Sequence, residues 1–363
     1  LFCGIGVFDP FCQNNKVTIK KGVLSMSNNR WNIVLVALGM CASWVFLIGT
    51  AYGSQSPKSD NQESSLVIIG EVKSELILSL ADIQSLPPFF IRNVPVIPER
   101  VRDRKDEERV SQTNFRGVLL RDLLYKAGMK YERKWEPGVL VRVSDADGRE
   151  VVFSFGEIFY SSIGRSILIA YERNDKAFPP TLVVATDIHN GRMLEDVAEI
   201  SVGRVNVELL AYDDKAKNLQ RPPTTEFKLI DIKNKTEKVI KPEDLKGLPV
   251  THVPAAVMIG DCEGFHGIHS LDGVALSTLL KHYLQIPDPA PYNRYVLISS
   301  EDGYCATYSF GELFNSRLGD QVVIATVKDG EPLSPADGFA MSVTGEDSTG
   351  GRSVKRIAEI EVY

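Results

Sequence analysis

The chain has 363 residues, 44% of them hydrophobic and 24% charged, with a net charge of -6. Such a length holds two cores of ordinary size, and the acidic balance excludes a nucleic-acid partner, which needs clustered Lys and Arg. Five cysteines without a CxxC pair exclude a disulfide framework or a structural zinc module.

Residues 1–25 precede the first methionine, Met26, and are expected to be upstream sequence without a role. Residues 26–53 carry Arg30 and then the uncharged run Ile33–Ala51, about 19 residues and long enough to span a bilayer. A short positive flank before it keeps the N-terminus in the cytoplasm. The segment reads as one N-terminal hydrophobic helix, a signal anchor or a cleaved signal peptide, with Cys41 as packing only. Residues 54–65 form a polar tether. Everything beyond it is expected outside the cytoplasm, facing the periplasm or cell exterior.

From there the chain repeats itself at a period of roughly 155 to 162 residues. "LADIQSLP" at Leu80 returns as "PEDLKGLP" at Pro242, and "FRGVLLRDLL" at Phe115 as "LDGVALSTLL" at Leu271. "DGREVVFSFGEIF" at Asp147 returns as "DGYCATYSFGELF" at Asp302, "ILIAYERNDKAFPP" as "VVIATVKDGEPLSP", and "VAEISV" as "IAEIEV". Residues 66–212 and 226–363 are therefore expected to be two tandem domains joined by the Pro-marked linker 213–225.

Within each copy, Leu120, Leu123, Leu124 and Ala127, and Leu276, Leu279, Leu280 and Tyr283, fall at helical spacing, with Gly128 as a stop. Val139–Val143 and Tyr295–Ile298 read as strands leading through Asp-Gly turns into second strands. Asp145, Asp147, Glu301 and Asp302 are then turn residues. Ser154-x-x-Glu157 and Ser309-x-x-Glu312 match a capping box, in which the glutamate reaches back to the cap. "SILIA", "QVVIA", "AEISV" and "AEIEV" are short buried strands, and the alternating charges of Glu99–Arg109 make an exposed loop. The class is α+β, with mixed sheets and short helices, used twice.

This order of motifs, a proline-ended "L..L..LP", then "GV.L..LL", "DG", "FS..E" and a terminal "IEV", resembles the sulfite-oxidase-like, molybdopterin-binding oxidoreductase family in both copies. The resemblance implies a tandem duplicated sulfite-oxidase-like fold. It also implies that a cysteine after a strand, about a dozen residues before the "GV.L..LL" helix, ligates molybdenum. Cys262 in "AAVMIGDCEGF" holds that position, eleven residues before Gly273, whereas the first copy has no cysteine there. A thiolate is a soft ligand suited to a redox metal, and Gly260, Gly264 and Gly267 would let backbone approach a bulky pterin. The resemblance thus implies a molybdenum cofactor on the second copy, with Cys262 catalytic and metal-ligating, and Gly260, Asp261, Gly264, His266, His269 and Arg352 as cofactor contacts. Its reaction would be redox chemistry on a small oxyanion-type substrate, with a redox partner in or at the membrane.

Other readings of the same residues stay open. Cys262, His266 and His269, with His252 and Asp261, could form a simple zinc, copper or iron site, although their spacing converges only on a helix and the glycines argue for a loop. Cys262 could pair with Cys305 in an oxidising compartment, or Cys305 could be a small buried hydrophobe. Arg192 and Arg352, recurring six residues before "AEI", are either structural partners of that strand or anion contacts. Asp261 and Glu263 beside Cys262 would raise its thiol, which favours the remaining alternative, a non-catalytic binding or scaffold module without cofactor.

Overall fold

The computed structural model describes residues 65–97, 111–129, 138–205, 222, 224–260 and 264–363. All of them belong to one compact unit, Glu63–Tyr363. The hydrophobic segment 26–53, the Glu99–Arg109 run, most of the linker and residues 261–263 lie outside them. Among the described residues no helix is long and apolar enough to cross a membrane.

The N-terminal half runs β1 (Leu66–Gly70), β2 (Leu76–Leu78), α1 (Leu80–Gln84), β3 (Phe89–Val96), β4 (Ser111–Leu119), α2 (Leu120–Ala127), β5 (Val139–Asp145), β6 (Glu150–Ser154), α3 (Phe155–Phe159), β7 (Ile167–Arg173), β8 (Lys176–Val184) and β9 (Val197–Arg204). The C-terminal half runs β10 (Phe227–Asp231), β11 (Thr236–Ile240), α4 (Pro242–Leu245), β12 (Thr251–Gly260), β13 (Gly264–Ala275), α5 (Leu276–Tyr283), β14 (Tyr295–Ser300), β15 (Cys305–Ser309), α6 (Phe310–Phe314), β16 (Val322–Lys328), β17 (Glu331–Pro332), β18 (Met341–Thr344) and β19 (Ile357–Val362).

Each half contains two sheets. One has the order β2-β1-β9-β5-β6, and in the C-terminal half β11-β10-β19-β14-β15. In both, the first strand pairs in parallel with the last: Ile68 stands opposite Ile200, and Leu229 opposite Ile360. The chain therefore leaves this sheet and returns to its centre. The second sheet is built by the excursion, as β3-β4-β7-β8 and as β12-β13-β16-β17, with β18 also on β16.

The amphipathic helix α2 buries Leu120, Leu123, Leu124 and Ala127, and Gly128 ends it at a left-handed φ of 63°, a conformation glycine adopts without steric cost. Its counterpart α5 buries Leu276, Leu279 and Leu280. These leucines join inward residues of both sheets, such as Val141, Phe153 and Ile169, or Val296, Tyr308 and Ile324, in one main core per half. The true capping box is on α1, where Ser79 Oγ accepts from the Asp82 N–H and Asp82 Oδ2 accepts from the Ser79 N–H.

The halves meet along β6 and β15. Leu140, Val152 and Val205 from one side and Leu297 and Cys305 from the other form a small shared core. Around it backbone groups cross the junction, including Val152 N–H to Tyr292 O at 2.9 Å and Ile188 N–H to Asn315 O at 2.7 Å. Cys305 is buried and carries a free thiol, which is the small-hydrophobe reading of that residue.

Candidate functional site

The residues around Cys262 form an arm of two long strands. Gly260, the last residue of β12, pairs with Gly264, the first of β13. Asp261 and Cys262 fall in the three-residue link, outside the described residues. The stretch from Gly264 to Ser270 is strand, not the loop its glycines suggested. It absorbs its irregularities through positive φ at Gly264 (79°) and Gly267 (119°) and a register shift between Met258 and Ile259. A bulge lets strand pairing continue where glycine tolerates the local geometry.

The side chains of the arm show what it could hold. Ile259, Phe265 and Ile268 are exposed, and so is His266. His269 is tied down: its Nδ1 lies 2.7 Å from Asp329 Oδ2 and its Nε2 3.2 Å from His266 O. The hydrogen bond from His269 holds the Asp329 carboxyl below its ordinary value. Because both ring nitrogens face acceptor oxygens, His269 directs no lone pair towards a metal. His252 lies at the far end of β12, with Nδ1 2.6 Å from Asp272 Oδ1. Eight residues of extended strand put it about 26 Å from Gly260. His252 therefore stands apart from His266 and His269, and among the described residues, which do not include Cys262 and Asp261, no three His, Cys, Asp or Glu side chains converge.

Arg352 lies elsewhere, in a cluster at the junction of the halves. It is fully enclosed, at 1% exposure. Its Nε and Nη2 grip Asp347 in a fork at 2.8 and 2.6 Å, while Nη1 donates to Glu312 Oε1 at 2.6 Å and to Ser154 Oγ at 3.3 Å. Arg192 repeats the pattern in the N-terminal half, with Nε and Nη2 on Asp187 at 2.8 and 2.5 Å and Nη1 on Glu157 Oε1 at 2.5 Å. Bidentate guanidinium–carboxylate pairing of this kind fixes geometry as well as charge. Arg352 is thus the structural partner and not an anion contact.

The glutamates correct the capping-box reading. Ser154 Oγ and Ser309 Oγ do cap their helices, accepting from Glu157 N–H and Glu312 N–H at 3.1 and 2.9 Å. The glutamate side chains do not reach back to them. Each instead meets the other half's serine: Ser309 Oγ donates to Glu157 Oε2 at 2.7 Å, and Ser154 Oγ to Glu312 Oε2 at 3.1 Å. Close approach requires glycine here, since a Cβ on Gly156 would overlap Arg352 and one on Gly311 would overlap Arg192. Asn315 adds a further bridge, donating from Nδ2 to Asp187 Oδ2 at 2.9 Å.

Burial pushes the Glu312 carboxyl up to about 7 against the pull of Arg352, and Asp187 up to about 6 against Arg192. Burial opposes the charge of both arginines, but the flanking carboxylates outweigh it and keep them protonated. Asp187 and Asp347 were missed in the sequence, although one signal was there. Asp-x4-Arg occurs at Asp187–Arg192 and again at Asp347–Arg352.

Asp145 is a turn residue, as its place beside Gly148 implied. Its Oδ1 accepts from Asp147 and Arg149 N–H at 3.1 and 2.8 Å.

Comparison with known proteins adds the following. The sequence profile of the oxidoreductase molybdopterin binding domain matches residues 230–363. No curated protein matches the chain. Among solved structures, the sulfane dehydrogenase SoxCD from Paracoccus pantotrophus is similar, at 11% identity, covering 81% of this chain and 78% of that chain with a TM-score of 0.33. Over residues 230–363 the chain is thus similar in sequence to the oxidoreductase molybdopterin binding domain family.

Proposed function

We propose that the chain is a molybdopterin-dependent oxidoreductase whose C-terminal half holds the cofactor, Cys262 supplying the thiolate, while the N-terminal half is a second copy of the fold without the site. The observation that carries this reading is the family match over residues 230–363 together with the place of Cys262, directly after β12 and eleven residues before Gly273. When bound, the cofactor would supply transfer of an oxygen atom or electrons to or from a small oxyanion-type substrate.

The fit of the arm to that group rests on its donors. Cys262 offers one soft ligand. A side chain built on Gly264 would meet nothing within 4 Å, so the backbone there is open to a planar ring. His266 and Asp261 complete the contacts this reading assigns to the arm, and His269, held by Asp329, orients the strand and ligates nothing. Arg352 takes no part, because its donors serve Asp347, Glu312 and Ser154. The proposal extends to an extracytoplasmic location with residues 26–53 as anchor and a redox partner at the membrane. Fractionation with a C-terminal reporter of known compartment tests it.

A second reading, a scaffold that keeps the fold without cofactor, is favoured by one observation: Arg352, the arginine read as a cofactor contact, is committed to carboxylates. Elemental and pterin analysis of the full chain from a molybdate-fed host, beside Cys262→Ser, separates the two. Near-stoichiometric molybdenum that falls in the variant supports the enzyme. Folded protein without molybdenum, from a host that loads other molybdenum enzymes, leaves the scaffold.

A further inference from the structure

Six ionisable groups are closed into the junction between the halves. Four are carboxylates, Glu157, Asp187, Glu312 and Asp347, and two are guanidinium groups, Arg192 and Arg352, all at most 6% exposed. Fully ionised, the set carries two more negative than positive charges. The other polar groups facing it are neutral: Ser154 and Ser309 on the glutamates, Asn315 on Asp187, and Tyr308, whose ring lies under Arg352 at 4.7 Å and whose hydroxyl donates to Arg352 O. Among the described residues the remaining buried arginine, Arg294, stands over Phe310 of α6 but is paired with Asp231 at 2.9 Å. Glu346, next to Asp347, adds a further negative group at the edge. An uncompensated negative charge enclosed in protein is costly, and a carboxyl group avoids the cost by holding its proton.

We propose that this cluster is a proton-binding site shared by the two halves, with Glu312 the carboxyl that holds the proton, and that loss of this proton loosens the junction. The kind and length of the donors select Glu312. Asp187 accepts three hydrogen bonds, two from Arg192 and one from Asn315. Asp347 has both oxygens in the Arg352 fork. Glu157 and Glu312 each have one arginine bond and one serine bond, and the serine bond to Glu312 is the longer, 3.1 against 2.7 Å. With one arginine bond where Asp347 has two, and a longer serine bond than Glu157, Glu312 has the weakest set of donors to its ionised form. The carboxyls act as a coupled set, so the titration observed belongs to the cluster.

The direction of the pH effect follows. A carboxyl whose folded value rises from 4.5 to about 7 gives the folded state more bound protons than the unfolded chain between those limits. Stability from this group therefore falls as pH rises from about 4.5 to about 7 and is level outside that window. Asp187, raised from 3.8 to about 6, acts in the same sense over a lower window.

The test is an infrared titration of the full chain in detergent, following the carbonyl stretch of a protonated carboxyl, together with the thermal midpoint against pH. The wild type is expected to show a protonated-carboxyl band that disappears as pH rises through about 7. Glu312→Gln, which keeps the shape of the protonated form, is expected to lose that band and the decline in midpoint over the same interval. Glu157→Gln removes the neighbouring negative charge and should move the band's titration to lower pH. A wild-type spectrum without a titrating band overturns the proposal even if no variant folds. So does a Glu312→Gln midpoint profile parallel to that of the wild type, or a titration unmoved in Glu157→Gln.

Discussion

Ser154 and Glu312, 158 residues apart in sequence, meet across the junction at 3.1 Å, and Ser309 and Glu157 make the reciprocal contact at 2.7 Å. Each serine also caps its own helix. The start of α3 and the start of α6 are thereby fixed to each other, so damage to either half is transmitted to the other.

Replacing Arg352 by Met should make this plain. It leaves Asp347 enclosed without its counter-charge and Glu312 without its arginine donor, and removing one partner of a buried pair costs about 3–5 kcal/mol. Arg192→Met should match it, since the two arginines are bound alike. Lysine should rescue neither, because a single ammonium cannot hold the aspartate fork and the glutamate together. Urea unfolding of the full chain gives these values.

Gly156→Ala and Gly311→Ala test the close approach. In each, a new methyl group would overlap the arginine that lies against that helix, and such overpacking costs about 1–3 kcal/mol. Gly247→Ala, where a Cβ meets nothing within 4 Å, is the control and should leave the thermal midpoint close to that of the wild type.

Cys305 should resist alkylation in the native chain. Burial pushes its thiol up to about 11, and the thiolate is the reactive form. Peptide mapping after brief iodoacetamide treatment should find Cys305 unmodified until urea unfolds the protein. Ready labelling in native buffer would contradict its place in the shared core.

Asp145→Ala should lower stability by about 1–3 kcal/mol, because the turn's N–H groups and the Arg149 guanidinium lose an acceptor. Chelators should leave the midpoint of the wild type unchanged, since this carboxylate serves backbone and arginine and not a cation. A fall in midpoint with EDTA would instead point to a bound cation at the turn.

The elements of this protein were legible in its sequence where short-range physics specifies them. Helical spacing marked α2 and α5, Asp-Gly turns marked the β5–β6 and β14–β15 hairpins, and apolar runs marked β7, β16, β9 and β19. The same order of motifs carried the resemblance to the family whose profile residues 230–363 match. Glycines misled at Gly264 and Gly267, because pairing with β12 extends a strand through residues that alone favour a turn.

What local pattern could not supply was the role of the repeated polar residues. Ser-x-x-Glu reads as a capping box because the serine and glutamate are three residues apart, and the serine does cap. The glutamate's partners, however, are an arginine 35 or 40 residues further on and a serine in the other half. Composition and periodicity marked which apolar side chains are buried and in what order the strands are made. Only the packing of one half on the other decided that Arg192 and Arg352 are enclosed among four carboxylates, since an unfavourable buried charge is stable only where distant segments bring its counter-charges within hydrogen-bond reach.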